Sequence, residues 1–460
     1  MVRYLALAAL LTAGCGDHGP DRNAPAQMLA ALQALPNVND VTEMPTKQAG
    51  FTYFVLHFVQ PVDHADPGSS TFLQEVSLIH KDLDAPLIVQ TSGYSDYYLD
   101  TPVELTTLLG ANQISIEHRF FGTSRPDPAD WTKLTIEQMA DDEHAIVTAL
   151  SAVYTGPILA TGGSKGGMTS IFYRRFFPDD VAGTVPYVAP ISLGAPDMRY
   201  PSFIAQVGTA DCRDAVRAAA VEMLQNRRAA LESNAMAEAT DQDYVYTRVP
   251  IGPAVESAVV SLEWSFWQYY GIADCSVVPA VTATDDAMWQ FLDAISPVSA
   301  SDDDSLGAFE AYDYQAYFQL GYPDDGTDSY LGSYEMYSDA DYDGSLPVGV
   351  AAPTYDGGAA MQDITGWLAS EGDTMLAEYG QWDPWTGGEL ALGGAVDSAV
   401  YVEPEGTHDS DLEHLGTSDE SAAFATLAAW TGVTPTPPPA THAAIPRVHV
   451  PRLHGRHHSP

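Results

Sequence analysis

The sequence has 460 residues, 45% of them hydrophobic, which is enough for one large domain with an insertion or for two domains. Its charge is unbalanced: 19 Lys and Arg oppose 62 Asp and Glu, a formal net charge of −43. Such an acidic surface repels nucleic acids and anionic lipids and argues against both as main partners. An acidic surface of this kind keeps a protein soluble, including at high salt concentration, and attracts the positively charged end of a ligand.

The first fifteen residues have the pattern of an export signal. Arg3 supplies a positive charge, Tyr4 to Leu11 form an apolar run too short to span a bilayer, and small residues precede Cys15. This pattern resembles a bacterial lipoprotein signal, with removal of residues 1–14 and lipidation of Cys15. Ordinary secretion with a chance cysteine is the alternative. We expect an exported protein, lipid-anchored at the bacterial cell envelope or otherwise secreted, with membrane contact only through that anchor.

The two remaining cysteines form an even pair. An exported protein would oxidise Cys212 and Cys275 to a disulfide, closing a loop of about 60 residues and stabilising the fold by about 3–4 kcal/mol. Two buried free thiols are the alternative. The spacing indicates no metal site.

Strand-like and helix-like segments alternate in the first half of the chain. Residues 15–45 have a linker-like composition and are interpreted as a tether. Residues 51–59 and 71–79 predict an antiparallel hairpin, because turn residues separate two strand-like runs. Short apolar runs and helical segments then alternate up to residue 195, which predicts a mostly parallel sheet with helices on both faces. We assign 46–195 to the first part of an α/β core.

The alternation stops after residue 195. Residues 196–360 contain two long helical segments and a stretch rich in Tyr, Asp and Gly, and are interpreted as a mainly helical cap. Residues 361–432 return to the α/β pattern and complete the core. The Pro- and His-rich tail, 433–460, is expected to be disordered.

Residues 339–344 resemble the start of a calcium loop, but the twelfth position is not Glu. An acidic turn is therefore the preferred interpretation, and no metal or cofactor is assigned.

A Gly-x-Ser-x-Gly motif lies between a predicted strand and a predicted helix. In Gly162-Gly-Ser-Lys-Gly166, this context indicates a nucleophile elbow, in which a sharp turn presents Ser164 above the sheet. The helix N-terminus stabilises developing negative charge, and the backbone N–H of Lys165 can donate to an oxyanion. Ser164 is therefore the predicted nucleophile of an α/β hydrolase.

A serine nucleophile needs a general base held by an acid, and in this fold the order along the chain is Ser, Asp, His. Asp383 and His408 each follow a late predicted strand and are predicted to be the acid and the base. Asp397 precedes its strand and His414 lies farther along, so both are weaker candidates.

Two loops near the predicted site supply further candidates. The backbone N–H of Gly93 or Tyr94 is expected to be the second oxyanion donor, with an ordinary glycine turn as the alternative. Glu117 is a candidate for binding a substrate α-amino group, although bracing of loops together with Arg119 is the preferred interpretation.

Motifs between about residue 50 and about residue 410 match one known family. They include Phe51-Thr-Tyr-Phe-Val-Leu56, Thr91-Ser-Gly-Tyr94, Glu117-His-Arg-Phe-Phe121, Ala160-Thr-Gly-Gly-Ser-Lys-Gly-Gly-Met168 and Gly380-Gln-Trp-Asp-Pro-Trp385. The chain resembles the secreted bacterial prolyl tri- and tetrapeptidyl aminopeptidases, serine peptidases of the α/β-hydrolase fold. The resemblance implies release of short peptides from free N-termini after proline, with Ser164, Asp383 and His408 as the catalytic residues.

Three segments depart from this family: the Glu-Gly-Thr-His-Asp loop around His408, the stretch 312–344 and the tail. The departures bear on the prolyl specificity more than on catalysis. Because the fold and the triad do not fix the acyl group, an esterase on the same triad is one alternative to the peptidase, and a non-catalytic surface-binding lipoprotein on a hydrolase scaffold is another.

Overall fold

The computed structural model describes residues 22–338 and 341–437. The predicted signal peptide, Cys15 and the tail from residue 438 lie outside the described residues, as do Asp339 and Ala340 of the possible calcium loop. None of the described helices has the length and apolar composition needed to cross a bilayer.

The described core is built on one sheet of nine strands in the order β1-β2-β3-β5-β4-β6-β7-β8-β9. Strands β1 to β3 pair antiparallel, which confirms the predicted hairpin, and β4 to β9 run parallel. This is the arrangement of an α/β hydrolase, as predicted. The strands are β1 (Val38–Met44), β2 (Thr52–Pro61), β3 (Thr71–His80), β4 (Leu87–Thr91), β5 (Asn112–Ile116), β6 (Ile158–Gly163), β7 (Gly183–Tyr187), β8 (Leu376–Gly380) and β9 (Ala399–Glu403).

Helices cover both faces of the sheet. In β4, Leu87 and Val89 belong to one hydrophobic cluster and Ile88 to another, because successive side chains of a strand point to opposite faces. The core helices are α1 (Pro25–Gln33), α2 (Glu104–Leu109), α3 (Ile136–Leu150), α4 (Lys165–Phe176), α12 (Ala359–Glu371) and α13 (Thr417–Thr431). Since β4 is buried on both faces, its first three residues, Leu87 to Val89, are consecutive apolar residues instead of an alternating pattern.

A helical cap lies between β7 and β8 and has its own hydrophobic cluster, which includes Trp267, Met288 and Leu292. Its helices are α5 (Arg199–Ile204), α6 (Ala210–Glu222), α7 (Arg228–Gln242), α8 (Ile251–Val260), α9 (Leu262–Tyr269), α10 (Asp285–Ile295) and α11 (Asp303–Gln315).

Each long helix predicted in the cap is two helices in the structure. A π-helical segment, Met223–Arg227, separates α6 from α7, and Ser261 separates α8 from α9. The predicted disulfide between Cys212 and Cys275 is confirmed; it connects α6 to the 3-10 helix Ile272–Val277.

The predicted tether over residues 15–45 is wrong for residues 25–44, which form α1 and β1. Met28 and Leu32 of α1 are fully buried, and β1 extends the sheet by pairing with β2. The segment resembles a linker because only one residue of β1, Val41, is buried, so an edge strand of this kind carries little apolar signal.

Candidate active site

Ser164 occupies the sharp turn between β6 and α4, as the motif predicts. Its backbone has φ 55° and ψ −127°, a conformation that is strained for a residue with a side chain. Two hydrogen bonds hold the turn: the N–H of Ser164 donates to the carbonyl of Tyr187 (2.9 Å), and the N–H of Met168 donates to the carbonyl of Ser164 (2.9 Å). The turn leaves the Ser164 side chain half-buried at the N-terminus of α4.

The glycines of the motif allow close contact between strand and helix. A Cβ atom on Gly162 would lie 2.4 Å from the carbonyl of Gly166, and one on Gly166 would lie 2.3 Å from the carbonyl oxygen of Thr91. Any side chain at either position would force β6, α4 and β4 apart, so these residues fix the position of Ser164.

Asp383 and His408 are hydrogen-bonded to each other, with 2.7 Å between Oδ2 of Asp383 and Nδ1 of His408. Asp383 is fully buried just after β8, and its Oδ1 accepts from the N–H of Trp385. Burial raises the pKa of Asp383, and the contact with His408 opposes that shift. The carboxylate selects the histidine tautomer with a proton on Nδ1, which leaves Nε2 free to act as a base.

The loop of His408 is attached to the cap. The backbone N–H of His408 donates to the carbonyl of Gln268 in α9 (2.8 Å). The rings of Tyr269 and Trp385 lie 6.0 and 6.4 Å from the imidazole ring. His414 contacts a different carboxylate, that of Asp411, and its side chain is 59% exposed.

The loop after β4 lies against Ser164. In the described residues, the backbone N–H groups of Tyr94 and Lys165 donate to no protein acceptor, as expected of oxyanion donors. The Tyr94 hydroxyl lies close enough to the Ser164 side chain for that side chain to lower the pKa of Tyr94 against the effect of burial. Burial raises the pKa of Tyr94 well above its ordinary value, so the hydroxyl keeps its proton. Sequence reasoning missed this hydroxyl, because no local pattern says where the Tyr94 side chain points.

Glu117 is 4% exposed, and both of its carboxylate oxygens accept hydrogen bonds from neighbouring loops. Oε1 accepts from the N–H groups of Thr123 and Ser124 (2.9 Å each), and Oε2 accepts from that of Asp96 (3.2 Å). Burial raises the pKa of Glu117, while the bonds from Ser124 and Asp96 oppose the shift. The carboxylate thus braces two loops.

Arg119 is fully buried and pairs with Asp142 instead of Glu117. Its Nε and Nη2 atoms donate to the two carboxylate oxygens of Asp142 at 2.6 and 2.8 Å.

Residues 25–449 match the family model of PS-10 peptidase S37. The chain belongs to this peptidase family. It is 39% identical over 408 residues to the prolyl tri/tetrapeptidyl aminopeptidase of Streptomyces mobaraensis, a match that covers 87% of this chain and 84% of that protein. It is 28% identical over 187 residues to the human lysosomal Pro-X carboxypeptidase, covering 35% of this chain and 36% of that protein.

Among solved structures, an alpha/beta hydrolase from Novosphingobium aromaticivorans is 14% identical, covering 83% of this chain and 99% of that one, with a TM-score of 0.34. Family membership makes the chain a serine peptidase on an α/β-hydrolase core.

Proposed function

We propose that this peptidase releases short peptides from free N-termini by cutting after proline. Ser164 is its nucleophile, His408 its general base and Asp383 the acid that orients the base. The observation that carries the proposal is the contact of 2.7 Å between His408 and Asp383, which follow β9 and β8 at the same edge of the parallel strands where Ser164 follows β6. The named activity of the Streptomyces relative, prolyl tri/tetrapeptidyl aminopeptidase, supports the substrate class.

The proposed reaction proceeds through an acyl-enzyme. Nε2 of His408 takes the proton of the Ser164 hydroxyl while the Ser164 oxygen attacks the carbonyl carbon of the proline residue that precedes the cut. The N–H groups of Tyr94 and Lys165, with the hydroxyl of Tyr94, stabilise the negative charge on the carbonyl oxygen. His408 then gives the proton to the leaving amine. Water hydrolyses the acyl-enzyme by the same proton transfers in reverse.

Aromatic side chains beside His408 support a proline subsite. Tyr269 and Trp385 contact the imidazole, and Trp264 packs edge to face on Trp385 with ring centroids 4.9 Å apart. A proline ring has no amide N–H to satisfy and offers a compact apolar face, so an aromatic surface suits it.

Recognition of a free N-terminus requires a carboxylate that is not already occupied. Glu117 fits this role poorly because loop N–H groups use both of its oxygens. Asp313 in α11 fits better: it is 8% exposed, and its carboxylate accepts no hydrogen bond from residues 22–338 or 341–437. It follows Tyr312, whose ring centroid lies 5.9 Å from that of Tyr94. We assign the α-amino group of the substrate to Asp313.

We also propose that the protein is exported and anchored through a lipid on Cys15. The disulfide between Cys212 and Cys275 supports this location, because disulfides persist mainly in oxidising compartments. Labelling with a radioactive fatty acid in a bacterial host, with Cys15→Ser as the control, tests the anchor. Lack of label on the wild-type protein would favour ordinary secretion.

Four chromogenic substrates test the activity: Ala-Ala-Pro-anilide with a free amine, its N-acetylated form, Ala-Ala-Ala-anilide and a butyrate ester. We expect kcat/KM for the free prolyl peptide to exceed that for the acetylated peptide by at least about a hundredfold, as for one buried charged contact. Equal turnover of the free and acetylated peptides would indicate an endopeptidase. Turnover of the ester alone would indicate an esterase.

A further inference from the structure

The side chain of Lys165, the residue after the predicted nucleophile, points back under the loop that follows β4. It is 2% exposed, and its Nζ donates to the carbonyl oxygen of Gly93 at 2.5 Å. The ammonium also lies 5.1 Å from the ring centroid of Phe121 and 5.5 Å from that of Tyr94. A lysine at this position therefore contacts the predicted oxyanion loop through its hydrogen-bond donor and through its position over the ring of Tyr94.

Keeping this side chain buried costs free energy. Burial lowers the pKa of Lys165 well below its ordinary value, and only the negative charge of Glu143 opposes the shift. Glu143 is itself buried, and its Oε2 has no hydrogen-bond partner within the described residues. An apolar side chain of similar length would avoid this cost, so core packing alone does not explain a lysine here.

The contact with the Gly93 carbonyl fixes one peptide unit. A trans peptide is planar, and its C=O and N–H groups point in opposite directions. The peptide between Gly93 and Tyr94 carries the Gly93 carbonyl on one side and the Tyr94 N–H on the other. When Lys165 holds that carbonyl beneath the loop, the Tyr94 N–H is directed away from Lys165, on the side available to a substrate oxygen.

Gly93 is the point at which this peptide could otherwise rotate. Its φ of +73° is a conformation that favours glycine, and a Cβ atom here would lie 2.4 Å from the backbone nitrogen of Gly166. The glycine permits the close approach of the loop to α4 but leaves the backbone with little intrinsic preference. The hydrogen bond from Lys165 to the Gly93 carbonyl favours one orientation of this peptide.

We propose that the side chain of Lys165 is a positioning residue that orients the Gly93–Tyr94 peptide, so that the N–H and the hydroxyl of Tyr94 stabilise the oxyanion formed at Ser164. This inference rests on the proposed function, because it assumes that Ser164 is the nucleophile. The side chain acts through this peptide, whereas the backbone N–H of Lys165 is the part of the residue that is assigned a contact with the oxyanion.

The test replaces the donor with an apolar chain of similar length, Lys165→Met. We expect kcat for Ala-Ala-Pro-anilide to fall about a hundredfold, as when one oxyanion donor is removed, with KM changed by less than about threefold. The Ki of the boronic acid analogue of Ala-Ala-Pro, which mimics the tetrahedral intermediate, should rise by a similar factor. The Ki of the free product Ala-Ala-Pro should stay constant. Lys81→Met is the matched control, because Lys81 lies over the ring of Phe51 away from the site.

Two results would overturn the proposal: a folded Lys165→Met enzyme with kcat within about threefold of wild type, or an equal loss of boronate and product binding, which would indicate general distortion. If Lys165→Met does not fold, Lys165→Gln is the second variant, because it keeps a hydrogen-bond donor without the charge. We expect a smaller fall in kcat for this variant, again with KM little changed. An active Ser164→Ala enzyme would refute the proposed function itself, and this result can be distinguished from a failure of the Lys165 proposal alone.

Discussion

Oδ2 of Asp383 lies 2.7 Å from Nδ1 of His408, and this contact joins the loops after β8 and β9. The neighbouring histidine, His414, contacts Asp411 instead, with 2.6 Å between Nδ1 and Oδ1. Two histidines close in the sequence therefore have separate carboxylates, and only one of these carboxylates is fully buried after the strand where an α/β hydrolase carries its acid.

This separation predicts opposite outcomes for two alanine variants. His408→Ala should lower kcat/KM for the prolyl anilide by several orders of magnitude, because Ser164 loses its base. His414→Ala should change it by less than about threefold. Labelling of Ser164 by a fluorophosphonate, followed by peptide mass spectrometry, should show the same contrast. If only the His414→Ala variant lost activity, the assignment of His408 as the general base would be wrong.

The hydroxyl of Tyr94 is predicted to contribute to oxyanion stabilisation. Tyr94→Phe removes the hydroxyl and keeps the ring that packs on Phe121 and Phe309. We expect kcat to fall about tenfold to a hundredfold with KM little changed, since the two backbone donors remain. Tyr97→Phe, a half-buried tyrosine of the same loop, is the control. Unchanged kcat in Tyr94→Phe would limit the oxyanion site to backbone groups.

Asp313 is predicted to set the preference for a free N-terminus. Asp313→Asn should reduce the ratio of kcat/KM between free and acetylated Ala-Ala-Pro-anilide by at least about thirtyfold, because a charged contact is lost. Asp304→Asn, at an exposed position of the same helix, should leave the ratio unchanged. If the wild type prefers the free peptide and Asp313→Asn shows the same ratio, another group must recognise the amine.

The same ratio should depend on pH. Burial raises the pKa of Asp313 to about 7; Arg248 opposes the shift and Glu310 adds to it. Below this pKa the carboxyl is neutral and no longer attracts the amine, so the preference should decline as the pH falls from about 8 to about 6. Comparing two substrates on one enzyme cancels the effects of pH on the catalytic groups that act on both. A preference that is flat over this range would argue against a carboxylate with this pKa.

Glu104 predicts how stability changes with pH. Burial and the charge of Asp411 raise its pKa from 4.5 to about 8, although Tyr187 donates a hydrogen bond to it. A folded state that binds the proton more tightly is most stabilised below pH 4.5, and this stabilisation is lost as the pH rises to about 8. Glu104→Gln mimics the protonated form.

The urea midpoint of the Glu104→Gln variant should therefore fall less between pH 5 and pH 8 than that of the wild type. Glu371→Gln, an exposed change, should follow the wild type at every pH. A constant offset between Glu104→Gln and the wild type across this range would contradict the raised pKa.

Ser164 could be predicted from the sequence because strand, turn and helix are contiguous and each leaves a local pattern. Asp383 and His408 could be predicted as the acid and the base because the α/β-hydrolase fold places these residues in that order, each after a late strand. The role of the Lys165 side chain had no such signal, because its partner Gly93 is brought to it by the pairing of β4 with β6. Residues 25–44 were missed for a related reason: an edge strand buries too few side chains to show a period.

The hydrogen bond from the backbone of His408 to the carbonyl of Gln268 makes the proposed base depend on a segment inserted more than a hundred residues upstream. The cap is thus not a module that can be exchanged to change substrate preference while the chemistry stays intact. A homologous or designed cap grafted onto this core must present a main-chain acceptor at the position of Gln268. Otherwise, the graft would alter selectivity and turnover together.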